Sequence, residues 1–126
     1  MSTDFDGLLS RMREEAEGGI KSELSRRNFI DRSIFHMFMP LAIDIITDAG
    51  NASMTILKDG TIDLKRNPSR NPDITLRADF DSLNELYNFR DSEGFRAAEK
   101  QGRIKILSHT TKGRQAEARL REWLGV

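Results

Sequence analysis

The residues able to do chemistry in this chain are few and widely spaced. Two histidines occur, His36 and His109, and neither has a second ligand at zinc spacing. Cysteine is absent, which excludes disulfides and thiolate chemistry and fits a reducing, cytoplasmic setting. The sequence holds no G-x-S-x-G elbow, Walker loop or G-x-G-x-x-G run, and its nine glycines are scattered as punctuation. Glu14, Glu15 and Glu17 read as the solvated face of a helix, while Asp79 and Asp81 read as helix-start acids. No spacing brings two carboxylates together for acid–base work. His36, inside IFHMFM, reads as a core or flanking histidine. The stretch SHTTKGR leaves two readings open: its free N–H groups with Lys112 and Arg114 hold a phosphate or carboxylate, or Thr110 or Thr111 simply caps the last helix. Neither an enzyme nor a metal or cofactor is expected.

Nucleic acid is a poor match. The 126 residues carry 20 acids and 20 bases, so no long-range field steers a polyanion or an anionic membrane. Lys65, Arg66, Arg70 and Arg77 form a small basic set, but no aromatic sits on the strands to stack with bases. The most apolar window, SIFHMFMPLAI, has 11 residues and a proline, too short to span a bilayer. The opening MSTDFDGLLSRMREEAEGG is acidic and polar, so no signal peptide is expected.

The elements that position these groups follow from periodicity. Phe5, Leu8, Leu9, Met12 and Ala16 form one helical stripe, with Thr3 and Asp6 capping its start and Gly18-Gly19 interrupting it. Residues 20–39 keep helical spacing at Ile30, Ile34, Met37 and Phe38, whereas Phe29, Phe35 and Met39 fall off that stripe. Strands are expected at 41–48, 52–58, 61–66, 73–78 and 103–107, with a hairpin at Lys58-Asp59-Gly60-Thr61. Short helices fill 81–89 and 92–101, and an amphipathic helix spans 111–124.

Each strand alternates. Ile43/Ile45, Met54/Ile56, Ile62/Leu64, Ile74/Leu76 and Ile104/Ile106 face one way, against mostly Asp, Thr, Lys and Arg on the other. One apolar and one wet face predict an α+β domain: a five-stranded, mainly antiparallel sheet with helices on one face. All nine aromatics fall outside the strands, which is compatible with a filled core or with a helix layer standing off the sheet around an apolar cavity.

The ordered set DGTIDLKRNPSRNPDITLRADFDSLNELYN, SEGFRAAEKQGRIKI and the closing helix resembles the sterol carrier protein type 2 domain family. Asn71-Pro72-Asp73-Ile74-Thr75-Leu76 and Gly102-Arg103-Ile104-Lys105-Ile106 carry the likeness, which covers residues 41–124 of a single domain with a helical segment at 1–40. The resemblance implies a noncatalytic carrier holding a sterol, fatty acid or acyl chain between sheet and helices. On that reading Ile34, Phe38, Phe80, Leu83, Leu86, Phe95, Leu120 and Trp123 wall the cavity over a floor including Ile74 and Ile104, and Lys112 or Arg114 meets an acidic head group. The competing reading is a filled interaction domain, in which the apolar IFHMFM segment makes a homodimer or serves a partner enzyme.

Overall fold

The first helix is longer than its glycines suggest. In the computed structural model, which describes residues 2–26, 37–89 and 92–124, α1 runs unbroken over Ser2–Arg26. Gly18-Gly19 does not interrupt it, because packing on either side outweighs the roughly 1 kcal/mol that each helical glycine costs relative to alanine. Ala16 and Ile20 lie against the core on either side of the pair. Glu17 accepts a hydrogen bond from the Ile62 N–H at 2.9 Å and pairs with Lys21 at 3.3 Å. The backbone is already helical at Ser2, so the helix starts ahead of Thr3, and Asp6 pairs with Arg66. The predicted stripe is real: Phe5, Leu8, Leu9 and Met12 are fully buried against β2 and β3. Each such burial is worth about 1.5–3 kcal/mol.

Five strands follow: β1 (Leu41–Thr47), β2 (Gly50–Ile56), β3 (Ile62–Lys65), β4 (Ile74–Ala78) and β5 (Ile104–Ser108). Their order is β3-β2-β1-β4-β5, and only the β1–β4 pair is parallel. The expected strand ranges shift by at most two residues at their ends. The Lys58–Thr61 hairpin forms as read, with Gly60 at φ 88°, a backbone region that glycine adopts without steric cost. Three helices, α2 (Phe80–Phe89), α3 (Ser92–Lys100) and α4 (Thr111–Leu124), complete the described chain. Ile34, with Phe29, Ile30, Phe35 and His36, lies outside the described residues, as does the side chain of Trp123.

The register sets the inner face. Ile43 pairs with Met54 and Ile74, Ile45 with Ala52 and Leu76, and Leu76 with Ile106, so the alternating apolar pairs align across the strands. Helices cover that face, which makes the domain α+β with a mainly antiparallel sheet. The opposite face is not uniformly wet, contrary to the alternation pattern. Asp44 is 3 % exposed, Ser53 3 % and Thr75 7 %, neighbours in one row across β2, β1 and β4. The connection from edge strand β3 to β4 must pass over this face. Both Asp44 carboxylate oxygens accept the Ser69 N–H, at 3.0 and 3.1 Å. Burial without pairing would be costly; the crossover backbone supplies the partner.

Candidate functional site

Seven of the ten residues expected to contact a ligand lie in one apolar layer. Ile74 and Ile104 are fully buried on the inner faces of β4 and β5. Leu83 from α2, Phe95 from α3 and Leu120 from α4 are buried above them, with Phe80 and Leu86 half-buried at the border. Phe38, half-buried, precedes β1. The layer is continuous with Phe5, Leu8, Leu9 and Met12 of α1, and the Phe5 and Phe80 rings meet edge to face at 6.1 Å. The α1 residues were legible as a stripe, but nothing in the sequence showed that they share a layer with the ligand-wall candidates.

Two concavities border this layer, and both have polar rims. The larger, about 590 Å³, opens between α1 and α2 and is lined by Arg11, Glu14, Glu15, Tyr87 and Asn88. Tyr87 spans its floor: the ring is buried in the core, while the hydroxyl donates to Glu15 at 2.5 Å. Arg11 donates to Asn88 at 2.7 Å and more weakly to Asn84 at 3.4 Å, both across exposed surface. The smaller, about 100 Å³, lies among Ser82, Glu85, Leu86, Gly94 and Arg103.

Of the two basic candidates near α4, Lys112 is engaged in holding the fold. Asp73, 6 % exposed, accepts the Ala42 N–H at 2.9 Å and the Thr110 hydroxyl at 2.7 Å, with the Lys112 ammonium 3.7 Å away. Lys112 also donates to the Pro40 carbonyl. The Asp73 main chain bonds Ala42 and His109, both at 2.8 Å. One carboxylate therefore joins the starts of β1, β4 and α4. Thr110 in turn accepts the Gly113 N–H at 2.9 Å, so of the two readings of SHTTKGR it is the threonine cap that forms. Arg114 donates to Thr111 at 3.4 Å on the surface. His109 Nε2 lies 2.9 Å from Thr75 Oγ1. Among the described residues no cluster of His, Asp or Glu could hold a metal ion. The basic set is also divided: Lys65 lies near Asp63 and Arg66 near Asp6 around β3, whereas Arg77 stands on β4.

A charged clamp closes the α3–α4 side. Arg121 donates to both Glu99 oxygens, at 3.2 and 2.7 Å, and to Glu117 at 3.2 Å, with its guanidinium 6.0 Å from the Phe95 ring centre. The hydrogen bond from Arg121 holds the Glu99 carboxyl below the usual glutamate range, against the opposing effect of burial. The Ile62 N–H, then Lys21, do the same for Glu17. A carboxylate whose folded pKa lies below its unfolded value adds stability that is present above the unfolded pKa and lost as pH falls through the folded one. Thermal stability should therefore fall as pH drops below about 4.5. The double variant Glu17→Gln/Glu99→Gln should show a shallower acid slope in a Tm-versus-pH series; an unchanged slope would exclude these two carboxylates as its source.

No protein-family model matches the chain, and no curated protein matches it. Solved structures do. The solution structure of sterol carrier protein domain 2 of Helicoverpa armigera aligns with TM-score 0.51 at 13% identity, covering 88% of this chain and 86% of that one. A double mutant of the sec-alkyl sulfatase PisA1 aligns with TM-score 0.50 at 16% identity over 68% of this chain, which spans only 12% of the sulfatase chain. A UbiJ-SCP2 ubiquinone synthesis protein aligns at TM-score 0.49 and 14% identity, over 90% of this chain and 98% of that one. The chain has a divergent fold of the sterol carrier protein type 2 kind, matched over 86% of the Helicoverpa armigera domain.

Proposed function

We propose that this domain is a noncatalytic module that binds a neutral, largely apolar lipid between its helices and the inner sheet face. The observation that carries the reading is the continuous apolar layer from α1 to α4 within a fold shared with a sterol carrier protein domain. Room for the ligand comes from parting α1 and α2 above Tyr87. That seam is closed at its surface by the Arg11–Asn88 and Arg11–Asn84 contacts, and exposed polar contacts of this kind contribute little stability. Burying the lipid's apolar surface yields about 25 cal/mol per Å², which offsets the displaced helix contacts. The groove sets two glutamates beside one arginine, which disfavours a carboxylate head and suits a hydroxyl or carbonyl.

Fluorescence titration with a sterol and with a fatty acid tests this directly. The sterol should bind saturably and the fatty acid at least about tenfold more weakly, a difference of about 1.4 kcal/mol. Leu120→Asp should lose sterol uptake while circular dichroism reports a folded chain. Equal uptake by that folded variant removes Leu120 from the wall, and absence of binding by the parent protein removes the proposal.

A further inference from the structure

The two edges of the sheet are treated differently. At the β3 edge, α1 lies alongside and Glu17 accepts the outward Ile62 N–H. At the β5 edge the ladder geometry leaves backbone groups facing outward. Asp79 N–H bonds the Arg103 carbonyl and His109 N–H bonds the Asp73 carbonyl, so the alternating antiparallel pattern turns Lys105 and Leu107 backbone groups toward β4. Ile104, Ile106 and Ser108 then turn their N–H and C=O groups away from the sheet, and among the described residues nothing bonds them. Beside this edge, on the outer face, Arg77 and Lys105 stand directly opposite each other. Like charges so placed are destabilising, and among the described residues neither has an acidic partner. Leu107, 40 % exposed, continues the same row.

An open edge, an unneutralised basic pair beside it and an exposed leucine two residues on describe a vacancy in a sheet. We propose that β5 receives an extended acidic segment of another polypeptide as an antiparallel sixth strand. Its acidic side chain lies across from Lys105 and relieves the repulsion between Arg77 and Lys105. The residue two positions earlier in the partner is apolar and covers Leu107. The residue between them faces the helix layer beside Ile106, half-buried in this chain, and is apolar as well. The partner is therefore read as apolar–apolar–acidic, with main-chain hydrogen bonds giving affinity and the acid giving selectivity.

The probe is the peptide Ser-Val-Val-Val-Glu-Val-Glu, compared with a version carrying Lys at both Glu positions, titrated into the full chain by NMR. The acidic peptide should slow exchange of the Ile104, Ile106 and Ser108 amides. Its affinity should exceed that of the basic peptide at least about tenfold. Lys105→Glu should invert the preference, a result that mere loss of folding cannot produce. The proposal is overturned by no binding at peptide concentrations on the order of 1 mM. Equal binding of both peptides, or protection elsewhere than β5, overturns it too.

Discussion

Replacing Gly113 with alanine should destabilise the domain by about 2 kcal/mol, the range for forcing extra volume into a packed site. The expectation runs against local propensity, since Gly→Ala inside a helix ordinarily stabilises by roughly 1 kcal/mol. Gly113 is buried in the first turns of α4, and a Cβ there would strike the Asp73 carbonyl, which is backbone fixed by its bond from His109. Nothing flexible can yield. Gly18 supplies the control: it is also helical, but a Cβ meets nothing within 4 Å. Gly18→Ala should raise stability while Gly113→Ala lowers it. Urea unfolding of the two variants reads the signs, and a stabilised Gly113→Ala would mean that α4 does not seat on Asp73 as described.

Asp73→Asn is the second large effect, a loss of about 2–3 kcal/mol, because hydrogen bonds to a buried charged group are worth more than neutral ones. The amide keeps one acceptor for Thr110. Its NH2 then faces the Ala42 N–H and the Lys112 ammonium, donors toward which the carboxylate directed Oδ2. Three element starts loosen together, so the denaturation midpoint should fall and amide exchange quicken at Ala42 and His109. A loss below about 0.5 kcal/mol, the size of an ordinary surface change, would show that Asp73 is not the junction.

Much of the fold was legible because it rests on short-range periodicity. The inner-face pairs, the Lys58–Thr61 hairpin and the helix starts at Asp79 and Thr111 all follow from period and turn chemistry over a few residues. The remainder depends on partners far apart in the chain. Asp73 reads locally as the first residue of the strand expected at 73–78, yet its partners Ala42 and Thr110 lie 31 and 37 residues away. Asp44, Ser53 and Thr75 have the composition of a wet face, and their burial rests on residues far along the chain, with Ser69 bonding Asp44 and His109 lying against Thr75. Gly18-Gly19 reads as a break because propensity is local, whereas the contacts of Glu17 and Ile20 that override it are tertiary. For the apolar layer between helices and sheet, residue type picked out Leu83, Phe95 and Leu120, while the contribution of Phe5 and Met12 needed the three-dimensional placement of α1.

Native mass spectrometry of freshly purified protein, followed by organic extraction and lipid identification, tests the central claim most directly. The account predicts a mass greater than that of the bare chain by one neutral lipid, which is released on extraction. A ligand-free mass, together with no uptake when sterol is titrated into the same sample, would contradict it.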